Sequence, residues 1–257
     1  MMEHRYGSQV HILETAFYSG LLAKLCHPST HQPQINHLVH LLYSYLMISV
    51  IDEQLTDEEV NLQTRMTIAH PENLLRTRRI SPNQRAVTVN LARAGTHPSH
   101  ICFELLHEVL QPENIRQDHI FAARMVDAGG KIVGTDLRSA KIGGDIKDCV
   151  VFFPDPMGAT GGTISAAIHH YKNQIPGPAK KYVAINLIVT PESLKRVLTE
   201  HPDVQIYALR LDRGLSPQAV LNSIPGTHWD KEKGLNEHQY IIPGGGGFGE
   251  IMNNSFV

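Results

Sequence analysis

From Arg85 onward the chain alternates short β-rich runs with segments of helical period, and this alternation restricts the fold more than any other feature. AVTVNLA, DHIFAARMV, KDCVVFF, KYVAINLIV and VQIYALRL have the length and the β-branched or aromatic content of strands. Between them, PSHICFELLHEVL, TISAAIHHYKN and PESLKRVLTEH place apolar residues at helical spacing. The succession predicts right-handed crossover units on a mostly parallel sheet. That is an α/β fold with its functional loops beyond the carboxyl ends of the strands.

The 257 residues read as one domain, with a 42% hydrophobic content that fills a sizeable core. Residues 1–84 read as a mainly helical packing region. QVHILETAFYSGLLAKLCH and INHLVHLLYSYLMISVIDEQL are apolar at helical spacing, and TDEEV, from Thr56, offers a capping-box start for a further turn. Residues 85–257 read as the α/β core, with two departures. DAGGKIVGTDLRSAKIGG predicts a β-arm near 127–144, and RGLSPQAVLNSIPGTHWDKEK reads as a loop-like insertion near 213–233 that carries the sole tryptophan.

A net charge of −2 supplies no attraction for polyanions, so neither nucleic acid nor an acidic membrane surface is expected as a partner, and a small molecule is. Three cysteines without CxxC spacing fit a reducing, cytoplasmic setting. The N-terminus lacks the basic-then-apolar build of a secretory signal, and LVHLLYSYLMISVI is too short to cross a bilayer. Sixteen histidines include the pairs His37/His40 and His97/His100. Without an HExxH pattern or a cysteine cluster, these read as ordinary surface and core residues.

KDCVVFF stops at Asp155, an acid fixed between Pro154 and Pro156, and the chain then passes through GATGG into the helical TISAAIHHYK. Small residues let a backbone turn tightly and aim successive N–H groups at an anion, and the first amides of a helix lack partners of their own. Such a loop holds a phosphate, with Thr160 and Thr163 as added hydroxyl donors. An acid beside the anion suits diols or a metal, so a sugar phosphate satisfies both halves. The plain alternative is a strand-to-helix turn capped at Thr160.

DPMGATGGT resembles the loop of the uracil phosphoribosyltransferases, a branch of the type I phosphoribosyltransferases. LARAG with Arg93, AARMV with Arg124, TPESLKRVLTEHPDVQIYALRLD and GLNEHQYIIPGGGGFGE are similar to further segments of that family, so the resemblance runs from about Val87 to Glu250. It implies the type I phosphoribosyltransferase fold with a helical N-terminal region and a β-arm. It also implies transfer of the phosphoribosyl group of 5-phosphoribosyl-1-pyrophosphate (PRPP) to N1 of uracil, giving UMP and pyrophosphate in pyrimidine salvage. Mg2+ is the implied cofactor, and a homodimer or larger homo-oligomer, paired through such arms, the implied assembly.

Carried over residue by residue, the resemblance makes Asp155, Arg93 and Arg124 catalytic. The two arginines hold the diphosphate, Asp155 orients the ribose diol, and the amides of Gly158 to Thr163 grip the 5′-phosphate. The implied PRPP site thus comprises Arg93, Arg124, Asp155, Pro156, Met157, Gly158, Ala159, Thr160, Gly161, Gly162, Thr163 and Gly247. Uracil is assigned to Tyr240, Ile241, Gly246, Gly247 and Phe248. Mg2+ is carried by PRPP, with Asp155 or Glu250 as candidate protein ligands.

Where the family usually carries Asp-Ala, this chain has Gly247 and Phe248. The change removes a carboxylate from the ribose and Mg2+ region, and the added phenyl ring is expected to narrow the base pocket or to stack on another heterocycle. Two alternatives therefore stand beside the uracil enzyme: a non-catalytic or regulatory homologue that binds PRPP or a nucleotide, and a phosphoribosyltransferase for a different base.

Overall fold

The computed structural model describes residues 1–126 and 132–256, without the side chains of 122–136 and 138. Among the described residues, an eight-stranded sheet runs β1 (Val10–Ile12), β10 (Gln205–Leu211), β9 (Lys181–Val189), β7 (Cys149–Pro154), β4 (Arg85–Ala92), β5 (Ile115–Val126) and β6 (Ile132–Lys141). The two-residue β8 (Met157–Gly158) also pairs with β9. Neighbours are parallel throughout except β5 with β6.

The strands expected from Arg85 onward all form, and β7 shows why they read so clearly. Every one of its positions is buried, so the run is apolar without alternation, as a strand covered on both faces must be. Successive side chains point to opposite faces. Phe152 packs into one cluster with Leu22 of α1 (Ala16–Leu25), Leu42 and Leu46 of α2 (Gln34–Gln54) and Ile101 of α3 (Thr96–His107). Phe153 packs into the other with Ile164 and Ile168 of α4 (Gly162–Gln174) and Leu194 and Val197 of α5 (Pro191–Glu200). Each side chain fully buried in this way stabilises the fold by roughly 1.5–3 kcal/mol.

The N-terminal expectation needs correcting. Val10–Ile12 is an edge strand, parallel to β10, and the helix in that stretch begins only after Thr15, whose side chain accepts from the Tyr18 N–H. TDEEV starts no helical turn. Asp57–Leu62 is β2, and it pairs antiparallel with β3 (Leu75–Ile80). Its acids face Arg76, Arg78 and Arg79 in ion pairs with Glu59, Asp57 and Glu58, so cross-strand charge overrides the local helical signal.

The β-arm expected near 127–144 appears as β6 folded back on β5, with residues 127–131 outside the described residues. The 213–233 segment contains a short helix, α6 (Gln218–Leu221), and is docked on the N-terminal residues: Arg5 N–H donates to the Pro225 carbonyl at 2.7 Å, and the Tyr6 and Trp229 rings meet edge-on at 4.8 Å. No helix among the described residues is long and apolar enough to cross a membrane.

Candidate active site

Because β4, β7, β9 and β10 are parallel, the segments that follow them emerge along one edge of the sheet. After β7 the backbone is held from both sides. The Asp155 N–H donates to the Ile185 carbonyl at 3.0 Å, and the Asp155 carbonyl accepts from the buried Asn186 side-chain amide at 2.6 Å. The Met157 N–H turns back onto the Asp155 carboxylate, which orders that acid at the strand end.

Thr190, at the end of β9, fixes the next stretch. Its hydroxyl donates to the Ala159 carbonyl at 2.5 Å and its N–H to the Gly158 carbonyl at 3.1 Å, while the same hydroxyl oxygen caps α5 by accepting the Ser193 N–H at 3.0 Å. Gly161 then adopts φ +71°, where a side chain would meet the Ser193 carbonyl oxygen at 3.0 Å and Val197 at 3.1 Å. Glycine is the residue that fits this turn. Helix α4 starts at Gly162 with no acid in its first turn, and the Thr160 hydroxyl accepts the Gly162 N–H at 3.3 Å. The Ala159–Thr163 loop thus sits at a helix N-terminus whose partial positive charge suits an anion.

The segment after β4 lies against this loop. A side chain at Gly95 would strike the Pro154 carbonyl oxygen at 2.8 Å, so the Arg93–Gly95 turn packs directly on the end of β7. The Ala92–Arg93 peptide is cis. Arg93 reaches the C-terminal segment: Nη1 donates to the Ser255 carbonyl at 3.2 Å and hydroxyl at 2.9 Å, and Nη2 lies 3.5 Å from Glu250 Oε1. No local pattern in the sequence announces either contact, since both partners lie far along the chain from Arg93.

The GLNEHQYIIPGGGG segment is assembled from outside. Glu192, in the first turn of α5, accepts the Gly234 and Leu235 N–H groups at 2.9 and 3.1 Å. Leu235 and Ile241 form an antiparallel bridge, and the Asn236 side chain accepts the Tyr240 N–H at 2.9 Å. Tyr240 is exposed, Ile241 is buried, and Gly246 is exposed with no atom within 4 Å of where its side chain would be. At the end of β10, Arg210 and Asp212 form a two-point ion pair of 2.7 and 2.8 Å. Burial opposes the charge of Arg210, but the Asp212 carboxylate outweighs it and raises the guanidinium pKa.

Phe248 corrects an expectation. It opens the short helix α7 (Phe248–Ile251), is 2% exposed, and belongs to the core cluster that contains Leu22, Leu25 and Met252. Its ring therefore neither narrows a pocket nor offers a face to a heterocycle. Arg124 lies on β5, where its backbone pairs with Thr135, and its side chain is outside the described residues. Pro156 and Gly158 are buried, and Met157 and Thr163 are half-buried.

Asn186, Thr190, Glu192, Arg210 and Asp212 were not singled out from the sequence. All hold backbone of the candidate loops across the sheet edge, a role that only tertiary pairing reveals. Among the described residues, no group of three or more His, Cys, Asp or Glu forms a metal cage. Asp155 and Glu250 offer at most single carboxylates. That set fits a hard cation held mainly by a substrate's own oxygens.

A family model for uracil phosphoribosyltransferase matches residues 12–228. The chain belongs to the uracil phosphoribosyltransferase family. Its mostly parallel, helix-flanked sheet is the type I phosphoribosyltransferase fold expected from the sequence. Among curated relatives, the uracil phosphoribosyltransferase of Caldanaerobacter subterraneus is 37% identical over 112 residues, 44% of this chain and 42% of the relative. That of Chlamydia muridarum is 39% identical over 112 residues, 44% of this chain and 29% of the relative. The chain therefore spans less than half the length of these relatives. A solved structure of the AQ2163 protein from Aquifex aeolicus superposes with a TM-score of 0.71, covering 96% of this chain and 99% of that one at 19% identity, a likeness of fold.

Proposed function

We propose that this chain is a uracil phosphoribosyltransferase, joining uracil and PRPP to give UMP and pyrophosphate. One observation carries the reading: the Arg93 turn, the Asp155–Thr163 loop and the Tyr240–Phe248 segment line one edge of the sheet, with Arg93 in contact with Glu250. In this assignment the amides of Gly158 to Thr163 hold the 5′-phosphate and Asp155 orients the ribose hydroxyls. Arg93, joined by Arg124, neutralises the diphosphate as it departs. Backbone groups near Ile241, Gly246 and Gly247 read the edge of uracil.

Breaking the C1–O bond builds positive charge on the ribose and negative charge on the leaving group, so positioning and neutralisation carry the catalysis and no protein nucleophile is needed. Mg2+, held by PRPP with Asp155 or Glu250 beside it, supplies further neutralisation when bound. The test is incubation with PRPP, Mg2+ and labelled uracil, with UMP as the expected product. The same reading places the chain in the cytoplasm as a homodimer or larger, which light scattering of the purified protein measures.

A second reading rests on Gly247 and on the engagement of Arg93 by Glu250 and Ser255: a regulatory homologue that binds PRPP or a nucleotide without turnover. Calorimetric PRPP binding with no UMP formed would select it. Failure of PRPP and of UMP alike to bind would exclude both readings.

A further inference from the structure

The glycine run Gly244–Gly247 cannot hold a shape on its own. Gly244 and Gly246 adopt φ +57° and +88°, and glycine loses more conformational freedom on ordering than any other residue. Its order therefore comes from neighbours, and the contacts are specific. The Gly244 N–H donates to Asp212 Oδ2 at 2.8 Å, and the Gly244 carbonyl accepts from Arg210 Nη2 at 3.0 Å. Both polar groups of one peptide-chain residue thus end on one ion pair.

That pair is itself anchored. Asp212 is 3% exposed and its N–H donates to the Val189 carbonyl at 2.9 Å, tying it to the end of β9. Arg210 Nη1 lies 3.9 Å from Cys26 Sγ, at the end of α1. A side chain on Gly245 would come within 2.7 Å of that same sulfur and 2.9 Å of the Phe248 ring. Gly244 is tied down, Gly245 is pressed against a floor, and Gly246 faces open space.

We propose that Arg210 and Asp212 act as positioning residues for base recognition, fixing the height and direction of the Gly245–Gly247 backbone. The proposal rests on the assignment of the base to this segment. Neither residue touches substrate in it. Arg210 matters for its planar fork, which satisfies two carboxylate oxygens and a carbonyl at once, a geometry lysine cannot reproduce.

Steady-state kinetics of Asp212→Asn, Arg210→Lys and Arg210→Ala, with each substrate varied in turn, separate this role from a merely structural one. The expected result is a rise of about tenfold or more in KM for uracil, with KM for PRPP within about twofold, even where breaking the buried pair lowers the melting temperature. Arg210→Lys should fall between the wild type and Arg210→Ala, and added guanidinium ion should partly restore uracil binding to Arg210→Ala. Equal shifts in both KM values, following the loss of stability, would overturn the proposal.

Hydrogen exchange supplies a readout that does not depend on turnover. In Asp212→Asn, and in Arg210→Lys should the first variant fold poorly, peptides spanning 240–248 should exchange about tenfold faster while those spanning 149–163 stay unchanged. Unchanged exchange across 240–248, or acceleration spread over the whole chain, rejects the clamp. If the wild type makes no UMP, the assignment of function falls, and exchange alone decides whether the pair orders the loop.

Discussion

The carboxylate of Glu250 lies where a side chain on Gly247 would begin: a Cβ at residue 247 would overlap Glu250 Oε2. The other carboxylate oxygen, Oε1, is 3.5 Å from Arg93 Nη2. The position that lacks an acid is therefore covered by an acid from one turn further along. Glu250→Gln is expected to lower kcat/KM for PRPP by about 10–100-fold, the range for loss of one charged contact at a reacting centre. Gly247→Asp alone should bring no gain, because two like charges would then share one space. Combined with Glu250→Gly it should recover most of the loss. Kinetics with PRPP varied check all three variants.

Gly161 tests the phosphate loop. Its φ of +71° and the Ser193 carbonyl oxygen 3.0 Å from any Cβ leave no relaxed position for alanine. Gly161→Ala carries a strain of about 1–3 kcal/mol, which the loop relieves by losing its turn. PRPP affinity measured by calorimetry should fall at least about tenfold, while the base-loop peptides keep their hydrogen-exchange protection.

Phe248→Ala distinguishes a core residue from a pocket residue. With the ring 2% exposed, truncation is expected to cost about 3–5 kcal/mol of stability and to leave the ranking of bases unchanged. Thermal denaturation and a panel of pyrimidines and purines give the two measurements. A changed ranking at full stability would contradict the packing described above.

These cases show what a single sequence does and does not display. Strands β7, β9 and β10 are legible because burial on both faces leaves a nearly unbroken apolar run, and DPMGATGGT is legible because its backbone geometry is local. Val10–Ile12 was not, since a three-residue edge strand is set by its pairing with β10. TDEEV was misread because its partners, Arg76 to Arg79, lie across a hairpin. The Arg210–Asp212 contact with Gly244 and the inward turn of Phe248 are both tertiary facts. No periodicity announces them.

The buried His201 and the half-buried His97 set a pH dependence. Burial lowers the pKa of His201, whose Nε2 lies 2.9 Å from the Ser165 carbonyl, and burial likewise lowers that of His97. A group whose pKa is lower in the folded state contributes stability that is present above its unfolded value, about 6.5, and is lost as pH falls through the folded value. The melting temperature should therefore decline as pH is taken below about 6.5, and His201→Asn, which can still donate to Ser165, should flatten that decline. Calorimetric scans across this range would show whether the slope survives the substitution.

The insertion near 213–233 hangs on a buried ion pair. Arg213 and Glu232 meet at 3.0 Å with side chains 12% and 0% exposed, and Glu232 also accepts the Gly226 N–H at 2.8 Å and the Tyr6 hydroxyl. Arg213 in turn donates to the Val220, Leu221 and Ser223 carbonyls, so one guanidinium organises the segment's interior. Glu232→Gln strands a buried cation and should cost about 3–5 kcal/mol, whereas Tyr6→Phe removes one hydrogen bond to a charged group and should cost about 1.5–3 kcal/mol. The sole tryptophan, Trp229, reports on this directly, because its Nε1 donates to the Pro191 carbonyl at 2.9 Å and its ring rests on Tyr6. In Glu232→Gln the emission of Trp229 should shift to the red at a lower temperature than the loss of helical circular dichroism, as the segment leaves the sheet first. Pro191 precedes Glu192, which holds Gly234 and Leu235, so the same detachment should raise KM for uracil. Coincident transitions with KM unchanged would mean that the insertion and the base segment are mechanically independent.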